Sequence, residues 1–285
     1  MSIHLGLEVM GNNVAGSWAD DSRSSEELIA FALTAADDDT MWDLIDVLRY
    51  RGGENEFRLA SRLTESAKPE ERCLGASILA LLGWSEPTYV AESVDILMPM
   101  LGDGDSSVVC SVVYALGHRK DERAIIPLSK LVDRPEADIR QGVARSLGGF
   151  DDDTAINILI QLTSDTDDDV RDWATFGLGS LTEIDTPEIR EALVARTKEE
   201  NREIRGEALV GLAIRNDQRT IDLVREELKL DFAGGWVLEA AELVGDSSLV
   251  PLISLLRENW GTENEKRFGN ELNQALEVCA SRNEI

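Results

Sequence analysis

The chain has 285 residues, 43% of them hydrophobic and only 5% aromatic, with 55 acidic residues against 28 basic ones and a formal net charge of −27. This composition excludes wholesale disorder and leaves Leu, Ala, Ile and Val to fill a core, which favours helices over a β-sandwich. So acidic a field repels nucleic-acid phosphate and anionic membrane and attracts basic partners, although the same charge also serves solubility alone.

Residues 1–23 form an N-terminal segment that opens MSIHLGLEVMGNNVAGSW, with no basic stretch and no continuous apolar run of the kind a secretory leader carries. No later stretch approaches the length of a membrane span. Cys73, Cys110 and Cys279 are odd in number and far apart, as expected of free thiols in a reducing compartment. A cytoplasmic location follows as the expectation.

From 24 to 260, apolar residues at helical spacing alternate with short polar turns. Three segments overlay: SSVVCSVVYALGHRKDERAIIPLSKLV (106–132), ADIRQGVARSLGGFDDDTAINILIQLT (137–163) and NREIRGEALVGLAIRNDQRTIDLVREEL (201–228). The turn inside each helix pair carries an acidic residue, at Glu54, Glu86, Asp121, Asp152, Asp185, Asp217 and Asp246, spaced by 32, 35, 31, 33, 32 and 29 residues. A period near 32 over most of the chain means an array of helical hairpins rather than separate globular domains. Residues 261–285 are expected to form a C-terminal capping helix.

Within 152–163 the apolar set Ala155, Ile156, Ile158, Leu159 and Leu162 follows helical spacing. First helices end in small residues, Gly83, Gly117, Gly148, Gly179 and Ala213, which either close the helix in a left-handed conformation or let two helices approach closely. Asp37-Asp38-Asp39 and Asp151-Asp152-Asp153 stand where N-terminal caps would. Pro69, Pro87, Pro135 and Pro187 fall at turns. Pro99, Pro127 and Pro251 lie inside second-helix patterns, and either bend those helices or shift their boundaries by a turn.

The recurring pairs Ile139-Arg140…Leu147-Gly148, Val170-Arg171…Leu178-Gly179 and Ile204-Arg205…Leu212-Ala213 resemble HEAT repeats, and more closely the short bacterial subtype called phycobilisome-lyase-like. The resemblance covers roughly residues 24–260 and implies an all-α, right-handed α-solenoid of about seven HEAT-like helical hairpins. It also implies a ladder between repeats in which Asp138, Asp169 and Glu203 supply the acids. Repeats near 72–83, 106–117 and 234–244 are read as lacking the ladder arginine.

Chemistry is sparse. The stretch SDTDDDVRDWATFGLG begins like a calcium loop, with Asp165, Asp167 and Asp169 at alternate positions. An EF-hand needs glycine at its sixth position and glutamate at its twelfth, and here these are Val170 and Phe176. The aspartates are better read as the acidic first turn of a helix. His4 and His118 have no partner at metal-ligand spacing, and neither precedes a glutamate as in the iron-binding repeats of deoxyhypusine hydroxylase. Gly52-Gly53 and Gly234-Gly235 lack a P-loop lysine. No catalytic residue, cofactor or metal is expected.

Two features remain as candidate partner-binding sites. Trp173 and Trp236 occupy the first-helix position that holds Ser111, Gly142 and Glu207 elsewhere, so the position is expected near the surface, where tryptophan either anchors a partner or fills a gap against its neighbour. The outward second-helix residues Glu92, Asp95, Asp153, Asn157, Glu188, Glu191, Asp222 and Glu226 are expected to line the concave face of a solenoid. The expected function is a non-enzymatic protein–protein interaction scaffold whose acidic face binds a basic protein or peptide. One concrete form is an immunity or antitoxin-like protein masking a basic toxin. The alternatives are a lyase-like protein acting on a bilin-type cofactor or its carrier protein, and an acidic DNA mimic.

Overall fold

The computed structural model describes residues 18, 20–83, 86–230 and 234–281, which form sixteen α-helices, two 3₁₀ turns and no strand. The chain divides into two compact units, Met1–Pro127 and Leu128–Ile285.

In the first unit, α1 (Ser25–Ala32) precedes α2 (Asp38–Arg51) and α3 (Glu54–Thr64), then α4 (Pro69–Leu81), α5 (Val90–Met100) and α6 (Ser106–Arg119). Asp37 and Asp105 cap α2 and α6 by accepting backbone N–H groups, and Ser24 caps α1 in a reciprocal box with Glu27. Each such cap contributes about 1 kcal/mol. First helices α4 and α6 pack side by side, with α5 against α6. Between them Leu74, Ile78, Leu79, Val94, Leu97, Val109, Val112, Val113 and Leu116 are buried. Helical spacing puts these residues on one face, and each stabilises by roughly 1.5–3 kcal/mol on leaving water.

A 3₁₀ turn, Glu122–Ala124, leads into α7 (Ile125–Ser129), which runs across the division between the units. The second unit continues with α8 (Ala137–Leu147), α9 (Asp153–Leu162), α10 (Asp168–Ser180), α11 (Pro187–Arg196), α12 (Arg202–Ile214), α13 (Thr220–Glu227), α14 (Gly235–Val244), α15 (Val250–Asn259) and α16 (Thr262–Ser281). First helices α8, α10, α12 and α14 stack in order, ending on α16, and second helices α9, α11, α13 and α15 flank them. With α2/α3, α4/α5 and α6/α7 this gives seven helical hairpins, an α-solenoid architecture. One apolar cluster runs from Leu209 and Val224 through Leu238 and Ile253 to Leu272, Ala275 and Cys279 of α16, whose other face is polar.

The turn aspartates act as read from the sequence. Asp152 and Asp167 cap α9 and α10, while Asp121 and Asp246 cap the 3₁₀ turns. The prolines resolve by boundary rather than by bending. Pro251 lies in the first turn of α15, Pro127 is the third residue of the short α7, and only Pro99 sits inside its helix, in the last turn of α5. Gly148 and Gly179 serve close approach: Gly148 faces Gly177 of α10, and Gly179 faces Gly211 of α12.

The ladder between repeats exists but uses other acids than expected. Arg140 forks onto Asp165 at 2.7 and 2.8 Å, Arg171 reaches Glu199 at 3.2 Å, and Arg205 reaches Glu227 at 2.8 Å. Asp138, Asp169 and Glu203 are not the partners. Each arginine is the fourth residue of its helix, and its Nη1 turns back to the carbonyl six residues earlier, which aims the guanidinium past the helix start toward the next connection. Arg72 does the same with Ser66 and Asp103, so the repeat at 72–83 does carry the arginine. The fourth residues of α6 and α14 are Val109 and Leu238, and the ladder is absent there.

Candidate functional site

The second helices hold their apolar residues inward and their acidic ones outward. On α5 the buried residues are Ser93, Val94 and Leu97, leaving Glu92 and Asp95 exposed. In the second unit, α9 buries Ala155, Ile156, Leu159 and Leu162, α11 buries Ile189 and Leu193, and α13 buries Thr220 and Val224. Asp153, Asn157, Glu188, Glu191, Asp222 and Glu226 are exposed in consequence. Packing of α9 against α11 makes the first four of these neighbours on one face.

Basic side chains already sit among these acids, which sequence reasoning did not foresee. Arg123 donates to Asp121 of its own turn and through Nη1 to Asp95 at 2.7 Å. Arg219 repeats the arrangement with Asp217 and reaches Glu191 at 2.6 Å. The Asp–x–Arg pattern at Asp21/Arg23, Asp121/Arg123 and Asp217/Arg219 is the signal that could have found it. Hydrogen bonding from Arg219 holds the Asp217 carboxyl well below the usual carboxylate range. Asp222 is paired with Arg225, and Glu226 with Lys229 at 2.6 Å. Glu92, Asp153 and Glu188 stand outside these pairs.

The two tryptophans are not the exposed residues expected. Both are partly buried, because their helix position points at the neighbouring first helix, where Gly142 and Glu207 are buried too. Trp173 lies under the Arg145 guanidinium, 4.7 Å from the ring centroid, with Phe176 edge-on at 5.9 Å. Trp236 lies over Gly206 and donates its indole N–H to Glu207 at 2.9 Å. Whether either contacts a partner rests on the proposal below.

Two arginines act as internal helix caps. Arg215 is buried and donates to the carbonyls of Leu178, Gly179, Gly211, Thr182 and Ile184, gathering the end of α10. Arg119 does likewise for Leu79, Leu82 and Thr88 after α4. A helix end leaves its last carbonyls without intrahelical donors, and a buried guanidinium supplies several at once. An open groove of about 500 Å³ lies beside Arg215, lined by Leu181, Glu183, Asp185, Ile214 and Asn216 among others.

Among the described residues no group of three or more His, Cys, Asp and Glu side chains is placed to hold a metal ion. His4 lies outside the described residues. The aspartates of the calcium-like stretch have structural tasks: Asp165 receives Arg140 and the Asp167 N–H, Asp167 caps α10, and Asp168 pairs with Arg171. No helix among the described residues is long and apolar enough to cross a membrane.

Comparison with known proteins bears on the fold. A family model described as HEAT repeats matches residues 58–148, 127–179 and 156–245. Protein YibA of Escherichia coli strain K12 is 27% identical over 218 residues, covering 74% of this chain and 77% of that protein. The X-ray structure of E. coli YibA superposes with a TM-score of 0.70 at 23% identity, covering 99% of this chain and 98% of that one. The complex of CpcE and CpcF of phycocyanin lyase from Nostoc sp. PCC7120 reaches a TM-score of 0.48 at 18% identity, covering 84% and 97%, too distant a likeness to carry an argument about lyase chemistry.

Proposed function

The chain belongs to the HEAT-repeat family, and from that premise we propose that it is a non-enzymatic protein-interaction scaffold whose acidic second-helix face docks a basic protein or peptide. The observation that carries this reading is how the basic residues are used. Arg72, Arg119, Arg123, Arg140, Arg171, Arg205, Arg215 and Arg219 are tied into the protein's own carboxylates and carbonyls. The formal charge of −27 is therefore presented outward as surplus carboxylate. In the second unit Asp153, Glu188 and Glu191 offer exposed acceptors on packed helices, a fixed geometry on which lysine and arginine side chains of a partner can register. Trp173 and Trp236 supply accessible ring edges on the first-helix side. A basic toxin, masked in the manner of an immunity protein, is the first partner of this class to try.

Titration with an arginine- and lysine-rich peptide, followed by calorimetry at two salt concentrations, tests the reading. Binding is expected to weaken steeply with salt, and the charge reversal Asp153→Lys/Glu188→Lys is expected to cost at least about tenfold in Kd, roughly 1.4 kcal/mol. Binding that survives both changes overturns it.

A further inference from the structure

The stacked first helices of the second unit contain a carboxyl that neither the ladder nor the docking face uses. Glu207 of α12 is 4% exposed and sits at the junction of α10, α12 and α14. Its Oε1 accepts the indole N–H of Trp236 from α14, and that ring lies so close over Gly206 that a Cβ there would stand 2.6 Å from it. On the other side, Gly179 and Gly211 bring α10 and α12 into backbone contact.

The charged groups acting on Glu207 are acids: Asp172 of α10, Glu239 of α14 and Glu203 of its own helix. Asp172 in turn feels Glu203 and Asp169. Basic groups of the neighbouring elements are committed elsewhere. Arg190 of α11 binds Asp185 and Asp217, and Arg196 binds Glu199. Arg225 of α13 binds Asp222, and Arg205 of α12 itself binds Glu227. Arg145 of α8 lies over Trp173. A buried carboxylate facing other carboxylates is costly, and the cost is removed when one of them takes a proton.

We propose that Glu207 is a proton-held joint: near neutral pH its carboxyl keeps its proton and the row α10–α12–α14 stays closed, and ionisation of Glu207 loosens the contact of α12 with α14. Burial, with Asp172 adding to it, pushes Glu207 up to about 8 and leaves Asp172 itself at about 6. An acid raised in the folded state contributes stability that is complete below its unfolded value and is lost as pH rises through the folded value. The joint therefore weakens across the range from about 6 to above 8.

Glu207→Gln keeps the acceptor for Trp236 and removes the ionisation. Infrared spectra of the full chain in heavy water should show a protonated-carboxyl stretch near neutral pH that is missing from E207Q and fades in the wild type above about 8. In parallel, the melting temperature of the wild type should fall relative to E207Q by about 4 °C as pH rises through that range. Asp172→Asn removes the like charge and should move the midpoint of the stretch downward by roughly one unit, a readout available even where E207Q folds poorly. The proposal is overturned by the absence of the stretch near neutral pH, by parallel melting curves for wild type and E207Q, or by an unmoved midpoint in D172N.

Discussion

Arg215 shows how much one side chain can organise in a repeat array. It is 6% exposed and reaches five carbonyls, four of them at or beyond the end of α10, so it closes the preceding hairpin rather than its own. Burial lowers its proton affinity, yet a guanidinium so far above neutral stays charged, and the carbonyl dipoles take the place of water. Arg215→Met should therefore destabilise by about 3 kcal/mol, because several carbonyls are orphaned together. Arg215→Lys should recover little, since one ammonium cannot span the fork. Urea unfolding of the full chain followed by circular dichroism measures both, and a midpoint shift near zero for R215M would remove Arg215 from this role. Nothing in the sequence announced it: Ile214-Arg215-Asn216 reads as a polar turn, and the carbonyls lie more than thirty residues earlier.

At the level of helices, the spacing between stacked repeats is set by glycine. A Cβ on Gly211 would stand 2.5 Å from the Gly179 Cα, against backbone that no rotamer change can move. Gly211→Ala should push α10 from α12 and cost about 1–3 kcal/mol. Gly104→Ala, with nothing within 4 Å of the added methyl, should be neutral or slightly stabilising. Thermal melts of the pair check this, and equal effects would show that the close approach does not limit packing. The hairpin phase was legible in the sequence because short turns place a capping aspartate at nearly the same point in each repeat, as at Asp121, Asp152 and Asp246. The ladder acids were not legible, because they lie in connections of varying length: Asp103, Asp165, Glu199 and Glu227 follow their arginines by 31, 25, 28 and 22 residues. The tryptophan position was misjudged for a related reason. A glutamate and a glycine there suggested solvent, whereas Gly206 makes room for Trp236, whose indole N–H satisfies the buried Glu207.

Across the whole chain two sets of carboxyls respond to pH in opposite senses. Asp21, Asp103, Asp165, Asp185 and Asp217 are lowered, chiefly by hydrogen bonds from their arginines. Their contribution is present above the unfolded carboxylate range, near 4, and is lost as pH falls through their folded values. Asp172 and Glu207 are raised, to about 6 and about 8, so their contribution is complete near 4 and is lost on the way up. Self-repulsion acts with the second set, since the surplus of 55 acidic over 28 basic residues is fully ionised at neutral pH and begins to discharge toward 5. The melting temperature should consequently peak at about pH 4.5–6, and not at neutrality. Added salt should raise it at pH 7, where repulsion among exposed carboxylates is greatest, and lower it or leave it unchanged near pH 5, where arginine ties such as Arg123–Asp95 are what salt screens. A melting temperature that climbs steadily to pH 8 would mean that the arginine ties outweigh both the buried acids and the surface repulsion.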